Sequence, residues 1–260
     1  CRSAGRPFFV IAFDGQADEE IIGDSPHAWV RLGAAEEILG LLRIQGVEEI
    51  VMAGPVKRPS LKELRPDGRA ARFLARGLIS RGDDGLLGAI VRSLEEEEGL
   101  RVVGVDSLLT DLRAQEGPFG VHEPDAAAME DIKRGVEVVR QLGKLDIGQA
   151  AIVRAGIVLG VEAAEGTAGL LTRVAEFRNE NPSGVLVKLT KPGQERRADM
   201  PTIGPDTVSD AIAAGLAGIA VAAGATLVID RTEIVARADA GGVFVCGIRP
   251  SAFVSDYEGG

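Results

Sequence analysis

Short apolar runs alternate with longer stretches of helical spacing along this chain, and that alternation limits the fold more than any other feature. Phe8-Phe9-Val10-Ile11-Ala12-Phe13 is too short for a helix and rich in strand formers, so it predicts a buried strand. Ile38, Leu41, Leu42 and Gln45 then recur at helical spacing up to Gly46, and Ile50-Val51-Met52-Ala53-Gly54 predicts the next strand. Together they read as a βαβ unit. A helix with Leu86, Leu87, Ile90, Val91 and Leu94 on one face leads to a third strand over 100–105. The acidic run Glu95 to Glu98 reads as a solvated helix end.

The second half changes character. A helix through Met129, Ile132, Val136 and Val139 precedes two apolar runs, 149–154 and 157–161, joined by Ala155-Gly156, which predicts a hairpin and therefore a mixed sheet. A helix from Thr167, with Leu170, Leu171, Val174 and Phe177 inward, leads to the strand Val185-Leu186-Val187. Helices over 207–214 and 232–238 then alternate with strands over 218–221, 226–229 and 243–248. Between the halves, Gly117, Pro118, Gly120 and Pro124 break the periodicity and mark a linker. The predicted fold is α/β in two lobes. Residues 1–113 form a Rossmann-like parallel domain, 114–123 the linker, and 124–260 a C-terminal catalytic domain with a mixed sheet.

With 260 residues the chain can bury a core in each lobe. A net charge of −10 opposes attraction to nucleic acid or to anionic lipid, so no nucleic-acid partner is expected. Cys1 and Cys246 cannot build a disulfide framework or a cysteine-rich zinc site, which suits the cytoplasm. No run approaches the roughly 20 apolar residues of a membrane span, so any membrane contact would be peripheral. The chain opens at Cys1 and soon enters a strand, so upstream residues are expected to be missing.

The densest polar constellation runs from Lys188 through Lys191, Arg196, Arg197, Asp199 and Thr202 to Gly204, directly after an apolar strand. Loops at the carboxyl ends of strands are where open α/β sheets bind ligands. Cations there can neutralise phosphate, and an aspartate among them can hold Mg²⁺ or orient water. A solvated basic loop is the competing reading. Asp206 would cap the helix that follows. A second candidate lies at Glu162-Ala163-Ala164-Glu165-Gly166-Thr167, where Thr167 could cap a helix whose amides face a phosphate and either glutamate could ligate a metal. His27 and His122 stand far apart and receive no role.

Five ordered segments, Ala53-Gly54-Pro55-Val56-Lys57-Arg58-Pro59, Arg81-Gly82-Asp83-Asp84, Leu145-Asp146-Ile147-Gly148-Gln149, Glu162 to Thr167 and Asp199-Met200-Pro201-Thr202-Ile203-Gly204, resemble the UDP-2,3-diacylglucosamine pyrophosphatases of lipid A biosynthesis in Gram-negative bacteria. The likeness is to the two-domain class, not the calcineurin-like one, and it implies that the first strand-helix unit of the N-terminal lobe, a strand and Gly-rich loop ahead of Cys1 to Pro7, is missing here and that any membrane contact is peripheral, at the inner face of the inner membrane. It implies a Mg²⁺-dependent hydrolase that splits UDP-2,3-diacylglucosamine, bound between the lobes, into UMP and 2,3-diacylglucosamine 1-phosphate by water attack at the β-phosphorus. The family's essential acid falls on Asp199, which with Glu162 would bind the metal. Lys188, Lys191, Thr167, Glu165, Gln149, Arg58, Asp83 and Thr202 would contact substrate. Self-association is left open. A Rossmann-type enzyme acting on another nucleotide sugar would want a G-x-G-x-x-G turn that this sequence lacks. The other alternative is a nucleotide- or lipid-binding protein without catalysis, which would bind the same ligand and not turn it over.

Overall fold

The computed structural model describes residues 1–2, 5–54, 56, 64–79 and 82–254, with backbone alone at 76–79, 82–84 and 110. The chain divides into two units, Cys1–Leu108 with Glu195–Asp199, and Leu109–Gln194 with Met200 onward.

The first unit is parallel α/β. Strand β1 (Val10–Phe13) is followed by the short helix α1 (Glu19–Ile22) and pairs in parallel with β2 (His27–Val30), Val10 opposite His27 and Phe13 opposite Val30. Helix α2 (Ala35–Ile44) leads to β3 (Glu49–Ile50), and helices α3 (Gly68–Ile79) and α4 (Gly82–Glu96) precede β4 (Arg101–Val102) and α5 (Val105–Leu108). Strands β3 and β4 pair in parallel. Leu39 and Leu42 of α2, Phe73 of α3, and Val91 and Leu94 of α4 close over Leu100 and Val102 to make the core.

Two expectations change here. The partner of β1 is β2, not the strand after α2. Its four residues, one of them a histidine and only Val30 buried, carry too little apolar signal to be picked out. The acidic run is also solvated only in part: Glu96 and Glu97 are exposed, while Glu95 and Glu98 turn inward. The Glu98 side chain is only 3% exposed and pairs with Arg43 at 2.7 Å and with Arg69, and Glu95 pairs with Arg197 at 2.6 Å. Arg197 and Ala198, which packs on the core, are what make 195–199 part of this unit.

The second unit is built on a six-stranded mixed sheet. Its strands are β5 (Gly117–Pro118), β6 (Ala150–Arg154), β7 (Ile157–Val161), β8 (Val185–Lys188), β10 (Gly218–Ala222) and β12 (Phe244–Ile248), in the spatial order β5-β12-β10-β8-β6-β7. Strands β8, β10 and β12 run parallel, while β5, β6 and β7 are each antiparallel to a neighbour. A separate parallel pair joins β9 (Thr202–Ile203) to β11 (Leu227–Val228). The predicted hairpin forms at Ala155-Gly156, whose φ of 50° and 76° match a two-residue turn with both residues left-handed. The expected linker carries β5, with Pro118 opposite Cys246 at the sheet edge, where a missing N–H is tolerated.

Alternation along the strands explains the layering. Val185, Val187, Ala220 and Cys246 point to one face, under Ile132, Val136 and Val139 of helix α6 (Ala126–Lys144). Leu186, Ile219, Val221 and Val245 point to the other, under α7 (Gly166–Val174), α8 (Pro205–Ala213) and α9 (Arg231–Gly241). By the same period Lys188, one step past Val187, shares the face of Leu186. Phe177, expected inward, is 55% exposed, because the helix tightens to a 3₁₀ turn after Val174 and takes the ring off the apolar stripe.

Candidate active site

Strand β8 ends at Lys188, and this lysine organises a buried polar network. It is 7% exposed, and its Nζ donates to Thr167 Oγ1 and to the carbonyl of Thr202, both at 2.9 Å. Thr167 Oγ1 donates to Glu162 Oε1 at 2.7 Å, and the Gln149 amide donates to Glu162 Oε2 at 3.0 Å. Glu162 is itself 5% exposed. This arrangement needs Gly148, because a Cβ there would lie 2.1 Å from the carbonyl oxygen of Glu162.

The network continues through the loop after β8. Gln194 Nε2 donates to Gln149 Oε1 at 3.4 Å, and Gln194 Oε1 accepts from the Lys191 amide at 3.0 Å. Lys191 Nζ pairs with Asp146 Oδ1 at 2.6 Å, and Thr190 Oγ1 donates to the Ala225 carbonyl at 2.9 Å. Asp146 is left-handed, with φ 53°, a conformation aspartate tolerates better than most residues. Each lysine thus has a carboxylate nearby: Lys191 directly, Lys188 through one hydroxyl.

Lys188, Lys191, Thr167, Gln149 and Glu162 therefore come together, and Thr202 joins through its backbone, its hydroxyl donating to Met200 O at 3.1 Å. Thr167 is not the cap of α7; Glu165 holds that position, without a capping side chain. Glu165 pairs instead with Arg173 at 2.6 Å. Its own backbone N–H and the Arg173 guanidinium hold its carboxyl below the usual range. Likewise Gly204 caps α8, with Asp206 in the first turn. Asp199 is half-buried in the first unit, its amide donating to Glu195 O at 2.9 Å. Close by, Arg197 holds the Glu195 carboxyl low, and Glu195 raises the guanidinium in turn. Asp83 lies in the first turn of α4 with its side chain outside the described part, and Arg58 lies outside the described residues.

Sequence reasoning passed over Asp146 and Gln194, although both stood inside segments already singled out. Their roles depend on partners that are distant in sequence. Among the described residues, no three His, Cys, Asp or Glu side chains converge to hold a metal ion. Both Glu162 oxygens already accept hydrogen bonds inside the unit, so Glu162 fits an anchor for its neighbours better than a cation ligand.

These features define a two-unit α/β protein whose C-terminal unit gathers lysines, carboxylates and amides where a parallel strand ends. Residues 1–112 match the family model for the LpxI N-terminal domain, and residues 115–246 match that for the LpxI C-terminal domain. Over 258 residues the chain is 40% identical to the UDP-2,3-diacylglucosamine pyrophosphatase LpxI of Caulobacter vibrioides, covering 96% of this chain and 91% of that protein. The chain belongs to the LpxI family.

Proposed function

We propose that this protein hydrolyses the diphosphate bond of UDP-2,3-diacylglucosamine to UMP and 2,3-diacylglucosamine 1-phosphate, a step of lipid A biosynthesis. One observation carries the reading: two lysines are held in a single polar network at the end of a parallel strand, in a chain 40% identical along nearly its whole length to a relative named for that activity. The network offers what a diphosphate requires, fixed cations that need no rearrangement as charge develops.

In this reading Lys188 and Lys191 bind the phosphates, with Gln149 at the sugar-phosphate end. Asp199 orients the attacking water and accepts its proton. The water oxygen bonds to the β-phosphorus, the bond from that phosphorus to the bridging oxygen breaks, and UMP leaves with the bridging oxygen. Magnesium usually takes one or two carboxylates and completes its shell with phosphate oxygens and water, so a half-buried Asp199 fits it and would recruit charge neutralisation for the diphosphate. The acyl chains keep the substrate at a bilayer, which the protein meets peripherally from the cytoplasm. Among the described residues no helix is long and apolar enough to cross a membrane.

The test is incubation of the purified protein with UDP-2,3-diacylglucosamine and Mg²⁺ in ¹⁸O water, with mass spectrometry of both products. Label in the lipid phosphate is expected; label in UMP would overturn attack at the β-phosphorus, and absence of UMP would overturn the activity. Asp199→Ala should abolish turnover while the far-ultraviolet circular dichroism spectrum is kept. Retained turnover would remove Asp199 from the mechanism.

A further inference from the structure

We infer that Thr167 and Glu162 are positioning residues that fix the Lys188 ammonium, rather than groups that touch substrate or metal themselves. The inference rests on the reading that Lys188 binds the diphosphate. A threonine hydroxyl has one proton to give. A carboxylate 2.7 Å away can only accept it, so the Thr167 proton points to Glu162 Oε1, and a lone pair of Thr167 Oγ1 accepts from Lys188 Nζ at 2.9 Å. The direction of both hydrogen bonds is thereby set. With the Thr202 carbonyl as a second acceptor, the end of a flexible four-carbon stem is held in one place.

Electrostatics adds a reason for the glutamate. Lys188 is 7% exposed and Glu162 is 5% exposed. Burial disfavours a lone ammonium, and a carboxylate one hydroxyl away offsets that cost. Glu162 is fixed in turn by the Gln149 amide at 3.0 Å, in a turn that the missing Cβ of Gly148 permits. The order of command runs from the hairpin that supplies Gln149 and Glu162, through the first turn of α7, to the lysine at the end of β8.

The experiment is a double-mutant cycle on kcat/KM with Thr167→Val and Lys188→Met, run with Thr167→Ser and Glu162→Gln as companions. Thr167→Val should lower kcat/KM by about 10- to 100-fold, the loss of one charge-assisted hydrogen bond, and Thr167→Ser should recover most of it. In the Lys188→Met background Thr167→Val should cost less than about threefold, because nothing remains to position. An equal cost in both backgrounds, or a serine variant as impaired as the valine one, would overturn the inference while leaving the proposed activity standing. Full activity of Lys188→Met would instead overturn the reading of Lys188 beneath it. Where the double variant is too slow to follow, the Lys188 side-chain resonance in ¹³C-lysine-labelled protein without substrate decides. It should move in Thr167→Val and Glu162→Gln and stay nearly in place in Thr167→Ser, and an unmoved signal in the first two overturns the inference.

Discussion

Asp131 offers a sharp test of how the hairpin of the C-terminal unit is held. It sits on α6, 4% exposed, and its two carboxylate oxygens accept from the amides of Gly156 at 2.8 Å and Ala155 at 3.1 Å. Those two residues form the left-handed turn between β6 and β7, so a single side chain pins the hairpin to the helix covering the sheet. Hydrogen bonds to a charged group contribute about 1.5–3 kcal/mol each. Both turn residues are exposed, so water can take over their amides once the carboxylate is gone, which points to the low end, about 3 kcal/mol for Asp131→Ala. Asp131→Asn keeps one acceptor but turns an NH₂ group toward the other amide, and should cost about half as much.

Urea unfolding followed by far-ultraviolet circular dichroism gives the shift in midpoint. Amide exchange at Ala155 and Gly156 reports the same contact locally and should accelerate in both variants. The lone tryptophan, Trp29, lies in the other unit, so its fluorescence separates an effect on the first unit from one on the second. A cost below about 1 kcal/mol for Asp131→Ala, with turn exchange unchanged, would refute the argument that this carboxylate holds the turn.

Two other positions give predictions of opposite sign. Thr226 is fully buried and its hydroxyl has no partner among the described residues, so Thr226→Val should stabilise the fold by about 1 kcal/mol, and a lowered melting temperature would mean that the hydroxyl is satisfied after all. Burial pushes the Cys246 thiol up from 9.0 to about 12, so between those values the unfolded chain releases a proton that the native chain keeps. Its contribution to stability should be complete below pH 9 and decline as pH rises toward 12; Cys246→Ala should flatten that part of the stability profile, and an unchanged slope would contradict the assignment.

Much of the C-terminal sheet could be read from sequence because local chemistry and tertiary role agree there. The apolar runs that become β6, β8, β10 and β12 are buried strands, the run that becomes β7 is a half-buried edge strand, and Ala155-Gly156 is suited by itself to a tight turn. The N-terminal unit was less legible. Strand β2 is four residues long with a single buried member, and it forms because β1 offers it a parallel edge. Glu98 has the sequence context of a surface acid, yet Arg43 and Arg69 from two other helices enclose it. Charge runs do not announce their partners.

The same division holds at the candidate site. Neighbours along the chain are enough to place Lys188 and Lys191 at the end of an apolar strand, Gly148-Gln149 and Glu162 beside a hairpin, and Thr167 at the start of a helix. Packing alone makes Glu162 accept from Thr167, makes Thr167 accept from Lys188, and pairs Asp146 with Lys191 across 45 positions. A hydrogen bond depends on a few tenths of an ångström and on direction, and those are set when strands and helices pack. Residue type supplies the donors and acceptors; the fold chooses which of them meet.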